Sequence, residues 1–148
     1  MKGSFEVNGV EETWALARRF ARTLKSGDVV CLEGDLGAGK TTFTQALADE
    51  LGVGGCVTSP TFCIVREHKP KAGAAAAVPL LVHMDLYRLD GEDDVIAIGW
   101  EDYLERGAVL VVEWPERARS LIPSDAKHII IRHGEGDERR IIRFESAD

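Results

Sequence analysis

The stretch from Val29 to Thr41, VVCLEGDLGAGKT, constrains the fold more than any other part of the chain. Val29-Val30-Cys31-Leu32 is an unbroken apolar run, the mark of a strand buried on both faces. Glycines follow at 34, 37 and 39. A helix from about Lys40 to Leu51 comes next, with Phe43, Ala46, Leu47 and Leu51 on one face. Gly52 stands where a helix ends on glycine. A buried strand, a glycine turn and a helix together predict an α/β sheet with a parallel centre.

Gly34 to Thr41 also fits G-x-x-x-x-G-K-[ST] without a mismatch. A chain of this composition matches that pattern by chance with odds of about half a percent. Glycines let the backbone fold around an anion and aim several N–H groups inward. The helix that opens after Gly39 turns its positive end to the same place. Lys40 adds a full charge for the β- and γ-phosphate oxygens, and the Thr41 hydroxyl is a ligand for Mg²⁺. A plain turn between strand and helix explains neither Lys40 nor Thr41. The pattern reads as a P-loop, or Walker A motif.

The remaining punctuation extends the sheet. Phe5 and Val7 alternate with polar residues and predict a short edge strand. Asn8 and Glu11 form a capping-box pattern. Val10, Trp14, Ala17, Ala21 and Leu24 then predict the core face of a first helix. Strands are expected around Cys63–Arg66, at Leu80–Val82 and at Val109–Val112. Two short helices split at Gly99 are expected within 91–106. Ile129–Ile131 and Ile141–Ile142 flank Gly134-Glu135-Gly136-Asp137 and predict a C-terminal hairpin. Residues 68–79, HKPKAGAAAAVP, read as an exposed tip of little chemical meaning. With 148 residues and no linker, one domain spanning 1–148 is expected.

Triphosphate chemistry needs an acid for the metal and a group to orient water. Two apolar runs end in acids, at Asp85 and Glu113, and the carboxyl ends of parallel strands face the ligand crevice. Thr58, Ser59 and Thr61 offer hydroxyls, or simply a turn around Pro60. Trp114 reads as a core or interface anchor from spacing alone, and His83 as a packed histidine.

Eighteen basic residues against 25 acidic ones give a net charge of −7. That balance argues against tight direct nucleic-acid binding, which rests on clustered Lys and Arg. Three cysteines, Cys31, Cys56 and Cys63, show no ligand spacing, so neither a disulfide framework nor structural zinc is expected. No apolar run approaches the roughly 20 residues of a membrane span. The N-terminus lacks an apolar leader, which points to the cytoplasm.

Several motifs together resemble the TsaE (YjeE) family, small bacterial P-loop ATPases of tRNA threonylcarbamoyladenosine synthesis. They are GDLGAGKTTF at Gly34–Phe43, TSPTF at Thr58–Phe62, HMDLYRL at His83–Leu89 and VEWPE at Val112–Glu116. The matches run in family order from about Glu11 to Pro123. The resemblance implies a P-loop NTPase-like three-layer sandwich with a mixed sheet and an antiparallel C-terminal hairpin. It implies ATP and Mg²⁺ as cofactors, hydrolysis that is weak in isolation, and the TsaB and TsaD proteins as partners through which tRNA is reached. It implies that Gly37, Ala38, Gly39 and Lys40 hold phosphate, with Thr42 beside them. Thr41 and Glu113 are then the Mg²⁺ ligands, Asp85 and Trp114 are required for function, and Thr13 touches the nucleotide. Two features depart from the family: the long alanine-rich 68–79 connection, and Trp100 in place of an aliphatic residue. Two other classes are open to a compact P-loop chain: a small-molecule kinase, and a nucleotide-binding assembly switch with negligible turnover.

Overall fold

A computed structural model describes residues 1–34, 39–53, 65–71, 78–136 and 138–146. The elements run β1 (Gly3–Asn8), α1 (Gly9–Ala21), β2 (Val29–Gly34), α2 (Lys40–Glu50), β3 (Val65–His68), β4 (Leu81–Asp85), α3 (Glu92–Ala97), α4 (Trp100–Glu105), β5 (Val109–Glu113), a 3₁₀ segment (Pro115–Leu121), β6 (Lys127–His133) and β7 (Arg139–Ser146). Among the described residues, seven strands join one sheet in the order β1-β7-β6-β2-β5-β4-β3. β6, β2, β5 and β4 are parallel, while β7, β1 and β3 run antiparallel to their neighbours. The expected parallel centre and C-terminal hairpin are both present. The sheet also carries an antiparallel strand at its far edge, β3, which begins at Val65 in the described residues.

Alternation along the central strands makes three layers. Val30, Leu32, Leu81, Val109, Val111, Ile129 and Ile131 pack against α1 and α2. Val29, Cys31, Val82, Met84, Leu110 and Val112 pack against the α3–α4 side, where Trp100 is 2 % exposed. Cys31 is core, as its sequence setting implies, and burial with Glu33 and Glu116 nearby pushes its thiol up to about 12. The departure of Trp100 from an aliphatic residue is thus a change within the core.

Three expectations need correction. The core face of α1 is Thr13, Leu16, Ala17, Phe20 and Ala21, with Leu24 just beyond the helix. Val10 is 61 % exposed and Trp14 only partly buried. Phe20 meets Phe43 of α2 and Phe144 of β7, so contacts from distant strands set the helix's rotation. Asn8 is the N-cap residue but its side chain makes no capping bond. The 68–79 segment is also more than an exposed tip. His68 closes β3, Pro70 bridges Val53, and Lys71 N donates to Gly52 O at 2.9 Å. Val78 is buried in the core. Residues 72–77 lie outside the described part.

Candidate nucleotide site

Parallel pairing brings three strand ends together. Leu32 of β2 pairs with Glu113 of β5, and Glu113 with Asp85 of β4. β2 ends at Gly34, beside Ile131 of β6. A Cβ at Gly34 would lie 2.5 Å from the Ile131 carbonyl oxygen, so only glycine starts the loop here. The chain re-enters the described part at Gly39, whose φ of 106° is left-handed and favours glycine. Gly37 and Ala38 of the loop lie outside the described residues, as do Thr58, Ser59, Thr61, Cys56 and Cys63.

Lys40, the first residue of α2, reaches back to the strand ends. Its Nζ lies 3.3 Å from Glu113 Oε1. The other carboxylate oxygen, Oε2, lies 2.7 Å from His83 Nε2. Strand alternation explains the convergence. Leu81, His83 and Asp85 share the α1–α2 face of β4, and Val109, Val111 and Glu113 share it on the neighbouring strand. Glu113 is 6 % exposed. Burial pushes its carboxyl pKa up. The His83 hydrogen bond and the positive fields of His83 and Lys40 outweigh that, and hold it below the ordinary value. The result is a buried carboxylate kept ionised at the end of β5, facing Lys40.

The other expected residues fall around this pair in different ways. Thr41 is exposed on the first turn of α2. Thr42 lines a cleft with Gly39, Gly9, Val10, Thr13, Glu138 and Arg140. Thr13 is 6 % exposed and its hydroxyl donates to Gly9 O at 3.2 Å, so it meets the cleft as a mostly buried wall. Sequence reasoning missed Val10, Glu138 and Arg140 as cleft residues. The signal available for Val10 was its apolar side chain, which the expected helix face had already absorbed. Asp85 is partly buried, and its carboxylate accepts a bond from Tyr87 N at 3.0 Å, shaping the turn after β4. The bond from Leu86 N to Glu113 O ties that turn to β5.

Trp114 lines a second cleft with Lys40, Gly34, Glu33 and Glu116. It is 42 % exposed, which excludes a core role, and its ring packs on Tyr87 with centroids 4.8 Å apart. An extended backbone is the expectation for a residue before proline. Trp114 instead adopts φ 59°, ψ 53°, the left-handed region. β5 ends at Glu113 and the 3₁₀ segment begins at Pro115, so one residue makes the whole turn, held by Arg117 N donating to Trp114 O at 3.1 Å.

Among the described residues no group of three or more His, Cys, Asp and Glu is disposed to hold a metal by itself. The donors present, one ionised carboxylate and a threonine hydroxyl, are hard oxygens. They suit Mg²⁺, which keeps its waters and takes few protein ligands beside substrate phosphates. The residues therefore fit a metal carried in with a nucleotide.

The family model described as threonylcarbamoyl adenosine biosynthesis protein TsaE matches residues 7–142. The chain belongs to the TsaE family. It is similar to the tRNA threonylcarbamoyladenosine biosynthesis protein TsaE of Streptomyces coelicolor, 44 % identical over 86 % of this chain and 84 % of the relative. The Bacillus subtilis protein of the same description is 41 % identical over 88 % of this chain and 78 % of its own length. The crystal structure of Bacillus subtilis YdiB superposes with a TM-score of 0.78 at 32 % identity, covering 100 % of this chain and 87 % of that one. The match confirms a P-loop NTPase-like fold with a mixed sheet.

Proposed function

We propose that this TsaE-family chain binds and hydrolyses ATP with Mg²⁺ and thereby serves threonylcarbamoyladenosine formation in tRNA, acting on a complex of the TsaB and TsaD proteins. Family membership supports the pathway. The observation that carries the chemistry is the Lys40 ammonium, 3.3 Å from a buried, ionised Glu113 at the end of a strand–glycine–helix unit.

In this reading Lys40 and the N-terminal end of α2 neutralise phosphate charge. Thr41 and Glu113 hold Mg²⁺, which when bound supplies further charge neutralisation between the phosphates. The Gly9–Thr13 and Glu138–Arg140 cleft, continuous with Gly39 and Thr42, receives the nucleoside. Asp85 holds the turn that carries Tyr87 beside Trp114. These two exposed rings form a face for the partner proteins. The deciding experiment is ATP turnover by the chain alone and after addition of TsaB and TsaD. Turnover that rises with the partners and vanishes in Lys40→Ala is the expected result. Absence of nucleotide binding by the wild-type chain would overturn the reading. Transfer of phosphate to a metabolite in place of water would favour a kinase, and binding without turnover in the full mixture an assembly switch.

A further inference from the structure

His83 is 1 % exposed, and its Nδ1 has no hydrogen-bond partner among the described residues. A buried ring nitrogen without a partner is costly, and an apolar side chain of equal volume would fill the same space at lower cost. What the imidazole gains is its other nitrogen, Nε2, on Glu113 Oε2 at 2.7 Å. The two oxygens of Glu113 therefore have separate neighbours of different character. Oε1 faces Lys40 at 3.3 Å, at the end of a flexible stem that is 17 % exposed. Oε2 is held by a ring rooted in β4, whose His83 pairs with Val111, two residues before Glu113 on β5. Lys40 is the partner that can leave, and His83 the partner that is fixed.

We infer that His83 is a positioning residue that pins Oε2, so that Glu113 offers only Oε1 to a divalent cation. The inference rests on the nucleotide and metal reading given above. Its chemical consequence is selectivity. A carboxylate limited to one oxygen suits a small octahedral cation such as Mg²⁺ or Mn²⁺, whereas Ca²⁺ readily takes both oxygens of a carboxylate. Partners that orient a metal-binding side chain typically matter by about 10- to 100-fold in metal affinity.

The test compares wild type with His83→Gln, His83→Asn and His83→Leu. Glutamine carries an amide donor about as far out as Nε2. Asparagine carries the same donor one bond short, and leucine fills the space without a donor. ADP affinity is measured without divalent metal, with Mn²⁺ and with Ca²⁺. The metal-free affinity should stay within about twofold in all four proteins, because Lys40 and the helix end are untouched. The gain in affinity from Mn²⁺ should fall about 10-fold or more in His83→Asn and His83→Leu, fall less with Ca²⁺, and return in His83→Gln. Should the leucine protein fail to fold, the Gln and Asn pair carries the comparison. Equal losses for the two cations, or equal Mn²⁺ gains in Gln and Asn, would make His83 a packing residue and overturn the inference. Wild-type protein that binds ADP with no gain from Mn²⁺ would overturn the metal assignment of Glu113, and this inference with it. Wild-type protein that binds no ADP would overturn the nucleotide reading itself.

Discussion

At the residue scale Lys40, Glu113 and Trp114 carry the proposed function, and each makes a distinct prediction. With Lys40 on phosphate, as proposed, Lys40→Ala removes a cationic hydrogen-bond donor worth about 1.5–3 kcal/mol or roughly 10- to 150-fold in nucleotide affinity. Isothermal titration with ADP checks this, and circular dichroism should show the fold intact. Glu113 is a carboxylate held below its ordinary pKa, so its folded form favours the ion. The stability this contributes is present above the unfolded-state pKa of about 4.3 and is lost as pH falls through the lower folded value. Glu113→Gln should flatten that part of the acid-denaturation curve, followed by tryptophan fluorescence. Trp114 sits at a left-handed φ of 59°, which costs a non-glycine residue about 1–3 kcal/mol. Being 42 % exposed, it should not show the roughly 3–5 kcal/mol loss of a core tryptophan on truncation to alanine. Trp114→Gly should be more stable than Trp114→Ala by about 1 kcal/mol in urea unfolding, because only glycine relieves the strain. The sequence marked all three residues through motif and strand-end position. It could not mark His83 as their neighbour, because that contact depends on the register between β4 and β5. Nor could it foresee the backbone of Trp114, since the rule for residues before proline yields here to a turn that one residue must complete.

At the scale of elements, what was legible followed from strong local signals. β2, the split at Gly99 and the C-terminal hairpin each carry a run of apolar residues bounded by glycine, α2 carries one apolar face between Gly39 and Gly52, and the structure has them where the sequence puts them. α1 shows where such reading fails. Its sequence offers two overlapping apolar stripes, Val10–Trp14–Ala17–Ala21 and Leu16–Phe20. Periodicity cannot choose between them. Packing does, through the Phe20, Phe43 and Phe144 rings and the Arg18–Asp49 and Arg22–Glu50 ion pairs that lay α1 along α2. The two ion pairs are largely exposed and add little, so the aromatic cluster fixes the rotation. Phe20→Ala should therefore cost about 3–5 kcal/mol in urea unfolding. Val10→Ser should change stability by less than about 0.5 kcal/mol, as surface substitutions do. Equal losses at the two positions would mean that the Val10 stripe faces the core as much as the Phe20 stripe does.

On the scale of the whole molecule, charge governs what the chain can grip unaided. The net charge is −7, and the basic residues are dispersed and in many cases already engaged. Arg106 faces Glu67 and Asp102, Lys127 faces Asp28, Arg143 faces Glu145, and Arg18 and Arg22 face acids of α2. Lys40 is turned toward Glu113. An RNA phosphate would have to displace these carboxylates, and each displacement returns part of what the new contact gains. Affinity for RNA comes chiefly from phosphates neutralised by free cationic side chains, and it falls steeply with salt. The isolated chain should therefore bind tRNA with a dissociation constant weaker than about micromolar at physiological salt, the range of nonspecific binding. Electrophoretic mobility shift with unmodified tRNA, at two salt concentrations, measures this directly. Submicromolar binding at the higher concentration would contradict the charge argument. It would also count against the proposal that this chain meets its RNA through partner proteins.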